Sequence, residues 1–283
     1  MFIKLNTRNH DRDSVGMRYI YPVVSRRSEG VSVGVNLNPN NACNWHCVYC
    51  QVPNLKRGSA PLIDLHLLES ELRGFLQELL TGTFMQDCVP EGFQRISDIA
   101  ISGNGEPTSS RQFRQVVEII GRILDELTLH GDIKLVLITN GSYMTHNHVM
   151  DGIQHLAELG GEIWLKLDRA RTEDIKRING VALKLSQLNR NIQLASQSCP
   201  TFIQTCMHAW NKAPPDNKEL SAYLDFLRAL KDEGAPLKGV LLYGLARTSR
   251  QAEAVNISPV SKPWMLYLAE RIQDVGYPVS LSM

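Results

Sequence analysis

From about residue 32 onward, continuous apolar runs alternate with amphipathic stretches. Runs at 31–37, 98–102, 134–139, 162–167, 201–207 and 239–245 are rich in Val, Ile and Leu and predict strands. Several are unbroken rather than alternating, as expected of parallel strands covered on both faces. Between them lie helical stripes. Leu65, Leu68, Leu72, Leu76 and Leu79 form one, and Phe113, Val116, Val117, Ile120, Leu124 and Leu127 a second. Leu220, Tyr223, Leu224 and Leu227 form a third, each stripe recurring at the spacing of one helix face. Asp64, Thr172 and Asn217 precede helical patterns, and Ser261 followed by Pro263 has the form of a capped helix start.

After the first unit, strand starts are separated by roughly 28–39 residues, the size of a βαβ step. The first interval is nearer to about 60 residues and holds a cysteine cluster, placing that cluster after a strand's C-terminal end, where barrels carry function. Six such steps predict an α/β fold, a partial (β/α)6 TIM-like barrel with mostly parallel strands. A flat doubly wound sheet is the alternative. No linker or repeat marks a second domain. The expected organisation is a polar, irregular N-terminal extension over 1–30, a core barrel over 31–250 and a C-terminal extension over 251–283 packed on the core.

Composition narrows the class. With 43% hydrophobic and 21% charged residues in 283, the chain is not disordered, collagen-like or a coiled coil. Thirty Lys and Arg against 29 Asp and Glu give no overall charge case for a nucleic-acid binder, although one basic face would suffice. No apolar run approaches the ~18–20 residues of a membrane span. No secretory signal opens the chain, and six cysteines are too few for a disulfide scaffold of this size. A cytoplasmic protein whose clustered cysteines are thiols or metal ligands is therefore expected.

The cluster reads Cys43-Asn-Trp-His46-Cys47-Val-Tyr49-Cys50. Three soft thiolates within eight residues suit zinc, copper(I) or an iron–sulfur cluster. Three readings stand side by side: buried cysteines without a ligand, a zinc site completed by His46, and an iron–sulfur cluster. The count of three favours the last, because a structural zinc site closes with four ligands.

The Cys-x3-Cys-x2-Cys spacing, with the aromatic Tyr49 before the third cysteine, resembles the radical S-adenosylmethionine (SAM) superfamily over roughly residues 30–250. That resemblance implies a partial (β/α)6 barrel and a [4Fe–4S] cluster held by Cys43, Cys47 and Cys50. Its remaining iron would bind SAM, and the backbone at Tyr49 would contact the adenine. Ser102-Gly103-Asn104-Gly105-Glu106-Pro107 looks like the family's Gly-Gly-Glu element, which binds the SAM amino group, with Asn104 intervening between the glycines. Read without the family, it is a strand-to-helix turn with Glu106 near a helix N-terminus. Asn140, in Thr139-Asn140-Gly141, is the candidate for the SAM ribose or carboxylate; its plain reading is an Asn-Gly turn. Lys166 is the candidate partner of the SAM carboxylate, or simply a charged rim residue. Residues 242–246 resemble the final strand that brackets the adenine.

The resemblance further implies an external reductant such as flavodoxin or ferredoxin, and a substrate that is a small molecule, an RNA base or a peptide. The lead-in from Pro22 to Gly34, with Arg26 and Arg27, resembles a little-characterised Fe–S oxidoreductase subgroup distantly related to wyosine-base enzymes. Those arginines, with Arg247, Arg250 and Lys262, are candidates for an anionic substrate group. Cys88, Cys199 and Cys206 read as buried packing residues, although Cys199 and Cys206 could meet across a hairpin. Rival readings are an activase that installs a glycyl radical on a partner protein, and a non-catalytic zinc-stabilised domain using Cys43, His46, Cys47 and Cys50.

Overall fold

All six apolar runs form strands of one sheet. The computed structural model describes residues 4–6, 12, 14–25, 29–245 and 247–283. In chain order the strands are β1 (Ile20–Ser25), β2 (Gly30–Val35), β3 (Ala42–Cys43), β4 (Lys56–Arg57), β5 (Ile96–Ile101) and β6 (Lys134–Thr139). They continue with β7 (Glu162–Lys166), β8 (Thr201–Cys206), β9 (Ala209–Trp210), β10 (Leu237–Tyr243), β11 (Ile257–Ser258) and β12 (Val279–Ser282). The helices are α1 (Leu65–Thr81), α2 (Phe84–Cys88), α3 (Phe113–Glu126), α4 (Asn147–Glu158), α5 (Thr172–Asn179), α6 (Leu185–Ser198), α7 (Asn217–Asp232) and α8 (Lys262–Val275).

The main sheet has eight strands in the order β1-β2-β5-β6-β7-β8-β10-β12. Parallel neighbours must be joined by crossovers, and the helices between them supply these. Every pairing in the sheet is parallel except β1 with β2, where Ile20 lies opposite Val35. The sheet curls into a half-barrel, not the flat doubly wound alternative.

Two of the eight strands extend the six-step expectation. Strand β1 forms inside the N-terminal segment that reads as irregular, because Pro22 argues against a strand. An edge strand with one neighbour tolerates a missing N–H. Strand β12 closes the other edge beside β10 and is only four residues long. Of the lead-in from Pro22 to Gly34, Arg26 and Arg27 lie outside the described residues, as does Ala246.

Helix boundaries follow from capping. The Asp64 side chain accepts from the Leu67 N–H and opens α1; its buried stripe is Leu68, Leu72, Phe75, Leu76 and Leu79. Ser261 caps α8 with Pro263 in the first turn, and Gly276 ends it in the left-handed conformation at φ 97°. Asp216, one residue before the expected start, caps α7. Thr172 is the first residue of α5 rather than its cap. Helix α3 buries Phe113, Val116, Val117, Ile120, Ile123 and Leu124 against the sheet, each worth about 1.5–3 kcal/mol relative to exposure.

The pleat separates the two faces of the sheet. On β8, the Thr205 hydroxyl meets Tyr223 of α7 at 2.7 Å, so odd-numbered residues face the helices. Gln204 and Cys206 face the concave side, where Gln204 meets Lys166 at 3.5 Å. Cys88, Cys199 and Cys206 are buried. Cys199 precedes β8 and Cys206 is its last residue, so a single extended strand separates them and the hairpin that would join them does not form.

Candidate active site at the C-terminal rim

The loops after β2, β5, β6, β7 and β8 leave the sheet at one rim, the C-terminal ends of its parallel strands. This is the functional end of barrel folds. Every residue expected to bind cofactor or metal lies on or beside that rim.

The loop after β2 carries the three cysteines, all half-buried. Its path is set by side-chain amides. Asn36 Oδ1 accepts from the Asn38 and Asn104 N–H groups at 3.0 Å each. Asn38 Nδ2 donates to the Ala42 carbonyl at 2.9 Å. The short pair β3 and β4 closes the loop, bringing Ala42 beside Lys56 and Cys43 beside Arg57. Trp45 is buried and donates its indole N–H to Ser142 at 3.0 Å. These contacts tie the cysteine loop to the ends of β5 and β6.

The 102–106 segment packs directly beneath this loop. A Cβ at Gly103 would stand 2.3 Å from Asn36 Oδ1, and one at Gly105 would stand 2.0 Å from the Ala42 carbonyl oxygen. Both glycines are therefore required by close approach to the cysteine loop. Glu106 is buried, and its carboxylate is already engaged. Oε1 accepts from the Thr108 N–H at 3.1 Å, the Thr108 hydroxyl at 2.6 Å and the Thr139 hydroxyl at 2.5 Å. Oε2 accepts from the Asn140 N–H at 2.7 Å and keeps capacity for one further donor. Glu106 thus caps the 3-10 turn at Pro107–Ser109, as the plain reading expects. Burial pushes its pKa up, opposed by those hydrogen bonds.

Asn140 is buried in the Asn-Gly turn after β6. Its Nδ2 donates to Asn44 Oδ1 at 2.8 Å and its Oδ1 accepts from the Ser142 N–H at 3.0 Å. Asn104 Oδ1 accepts from Arg12 at 2.6 Å, while its Nδ2 donates to Asn41 at 2.7 Å. Lys166 points over the Tyr49 ring, 5.6 Å from its centroid. Burial alone would lower the Lys166 pKa, but surrounding acidic groups, Tyr243 and Asp168 foremost, outweigh it and raise the value. Lys166 remains a cation at neutral pH. Of the segment 242–246, Leu242 and Tyr243 are the last residues of β10, and Gly244 and Leu245 follow it.

Several rim residues carry no motif in the sequence. Asp168 is buried, and its carboxylate accepts from the Tyr49 hydroxyl at 2.5 Å, the Asn179 amide at 2.6 Å and the Cys206 N–H at 2.8 Å. The segment 249–251 clamps the cysteine loop from the far end of the chain. Ser249 donates to the Val48 carbonyl at 2.7 Å, and Gln251 Nε2 to the Cys50 and Val52 carbonyls at 3.1 and 2.8 Å. The Arg250 N–H also donates to Cys50, at 2.9 Å. His208 is fully buried with its ring 5.9 Å from that of Tyr49, and its Nε2 has no partner among the described residues.

Burial pushes the Cys43 thiol up to about 11, with the Glu106 carboxylate adding to the effect. Burial pushes Cys47 up to about 12, with Asp168 adding. A thiolate at either position needs a cation to balance it, which a soft, positively charged inorganic centre provides. Three soft sulfur donors carried half-buried on one loop are the set that suits a metal-containing group. Among the described residues, no three His, Cys, Asp or Glu side chains converge as a single metal ion requires.

No protein-family model matches the chain. Over 127 residues it is 27% identical to the GTPase Obg of Brachyspira hyodysenteriae, covering 45% of this chain and 16% of that protein. Over 217 residues it is 23% identical to the UPF0026 protein slr1464 of Synechocystis sp., covering 75% of this chain and 71% of that one. Among solved structures, a radical SAM methyltransferase from Sphaerobacter thermophilus superposes with a TM-score of 0.60 at 12% identity, covering 92% of this chain and 68% of that one. A spore photoproduct lyase variant superposes at 0.56 and 10% identity, covering 85% and 74%. Streptococcus suis SuiB bound to S-adenosylmethionine superposes at 0.52 and 11% identity, covering 88% of this chain but only 45% of SuiB. The chain has the partial-barrel fold of the radical SAM enzymes.

Proposed function

We propose that the protein is a radical SAM enzyme. The observation that carries this is the placement of Cys43, Cys47 and Cys50 on one loop at the C-terminal rim of a half-barrel, beside Glu106, Asn140 and Lys166. The three cysteines hold a [4Fe–4S] cluster through their thiolates. Gly103, Asn104, Gly105 and Glu106 form the seat of the SAM amino group, with the free capacity of Glu106 Oε2 turned to an ammonium donor. Asn140 and Lys166 serve the ribose and carboxylate, and the backbone at Tyr49 serves the adenine. Bound together, cluster and SAM would supply one-electron reductive cleavage of SAM to methionine and a 5′-deoxyadenosyl radical, which would abstract hydrogen from the substrate.

The chain's own residues do the positioning. Lys166 offers a half-buried cation to a carboxylate, and its attraction is strengthened where water is scarce. The concave face, carrying Trp164 and Lys166 of β7, Gln204 of β8 and Tyr243 of β10, receives the substrate, a small molecule, RNA base or peptide. A flavodoxin or ferredoxin supplies the electron.

The test is anaerobic reconstitution followed by dithionite and SAM, scored for 5′-deoxyadenosine. Expected are about four irons per chain and nucleoside formation that Cys47→Ala abolishes. Colourless protein containing one zinc per chain, or activity indifferent to Cys47→Ala, would overturn the reading.

A further inference from the structure

Helix α5 ends against the cysteine loop, and its last residues hold the backbone on both sides of Cys47. The His46 N–H donates to the Asn179 carbonyl and the Val48 N–H to the Ile178 carbonyl, each at 2.9 Å. Gly180 leaves the helix in the left-handed conformation at φ 64°, where a Cβ would stand 2.7 Å from the His46 carbonyl oxygen. Arg57 bonds the Asn44 and Gly180 carbonyls and fastens the two segments together.

The Asn179 side chain lies inside this cradle, 1% exposed. One hydrogen of its Nδ2 is taken by Asp168 Oδ2 at 2.6 Å, and Nδ2 also stands 3.4 Å from Cys47 Sγ. An amide carries two hydrogens, so both contacts can be made at once. The orientation of the amide is fixed by chemistry. Turned over, its oxygen would face the Asp168 carboxylate, which has no hydrogen to donate. Asp168 is itself immobilised by Tyr49 and the Cys206 N–H. Cys43 differs, having the backbone N–H of Trp45 as its donor and the Asn44 side-chain oxygen nearby.

We propose that Asn179, oriented by Asp168, donates a hydrogen bond to the Cys47 thiolate and thereby sets the reduction potential of the cluster that Cys47 holds. The proposal rests on the reading of the cysteines as cluster ligands. A cluster gains negative charge on reduction, so a donor at a ligand sulfur stabilises the reduced form more and raises the potential. Asn179 is a positioning residue: it touches the ligand, not the reacting atoms.

The test measures the midpoint potential and iron content of the reconstituted full chain as wild type, Asn179→Leu and Asp168→Asn. Leucine removes the donor at nearly constant size. Asn at 168 keeps the acceptor for the Cys206 N–H but presents hydrogens to Asn179. The Asn179 amide then turns over and its donor leaves Cys47. Both variants are expected to hold iron at the wild-type level, with the potential shifted downward in Asn179→Leu. Asp168→Asn also removes a negative charge near Cys47, which by itself raises the potential, so its donor effect is read from the double variant. Adding Asn179→Leu to Asp168→Asn is expected to shift the potential no further, because the donor has already left Cys47. Unchanged potential at full iron content in Asn179→Leu overturns the proposal, as does an undiminished shift in the double variant or loss of the cluster from both single variants, which would make the pair a scaffold. Failure of the wild-type chain to take up iron and sulfide instead defeats the cluster reading itself.

Discussion

Glu106 and Thr139 are joined side chain to side chain at 2.5 Å, and the same carboxylate reaches the Asn140 N–H at 2.7 Å. The link ties the turn after β5 to the end of β6. Glu106→Gln keeps one acceptor oxygen but sets an NH2 group against either the Asn140 N–H or the Thr108 and Thr139 donors. Leaving a buried donor unmet costs about 1–3 kcal/mol. The variant should unfold at lower urea concentration with an unchanged denaturant slope. Stability equal to wild type would show that Glu106 is held only to meet a ligand.

The glycines at 103 and 105 make a sharper contrast with a third glycine. Gly105→Ala places a methyl 2.0 Å from the Ala42 carbonyl oxygen, one residue from Cys43. It should cost about 1–3 kcal/mol or more by forcing backbone apart and lower iron uptake in reconstitution. Gly74, on the exposed side of α1, has nothing within 4 Å of a built Cβ. Gly74→Ala should therefore stabilise by about 1 kcal/mol and leave iron uptake alone. Thermal melts and iron analysis of the two variants together check both directions.

Much of the fold is legible because its signals are local. Strand β6 was written in Leu135, Val136 and Leu137, and α1 in its Leu stripe with Asp64 as cap. Strand β1 is obscured by Pro22, whose cost only an edge position removes. Strand β12 is too short, at four residues, to separate from a tail. At the rim, spacing alone isolates Cys43, Cys47 and Cys50. The glycines of 103–105 announce a close approach without naming what approaches. Asp168, Asn179, Ser249 and Gln251 carry no pattern, since their partners lie 11 to 201 positions away and only folding brings them together.

The clamp by Ser249 and Gln251 gives the cysteine loop a hold across the chain. Ser249→Ala strands the Val48 carbonyl of one donor, and Gln251→Leu removes the donor shared by Cys50 and Val52. Each change should cost about 1 kcal/mol globally, because the partners are carbonyls with other routes to satisfaction. Locally the effect is larger. Amide hydrogen exchange over residues 46–52 should accelerate in both variants while the strands of the sheet keep their protection. Uniform acceleration across the sheet would instead make the segment part of the core.

His208 gives the fold a pH dependence of definite sign. The ring is fully buried, with Nδ1 3.2 Å from the Ala209 carbonyl, so Nδ1 carries the proton and Nε2 is bare. Burial, reinforced by the Arg169 guanidinium, holds its pKa down to about 4. The unfolded chain binds this proton near pH 6.5 and the folded chain does not. Stability is therefore complete above pH 6.5, falls as pH drops through the interval, and stops falling below about 4. The loss attributable to this one group is about 2 kcal/mol by pH 5 and about 3 kcal/mol by pH 4. Urea unfolding at pH 7, 6 and 5 measures it directly. His208→Gln should be less stable than wild type at pH 7, yet lose about 2 kcal/mol less on going to pH 5. The same loss in both proteins would place the acid sensitivity elsewhere.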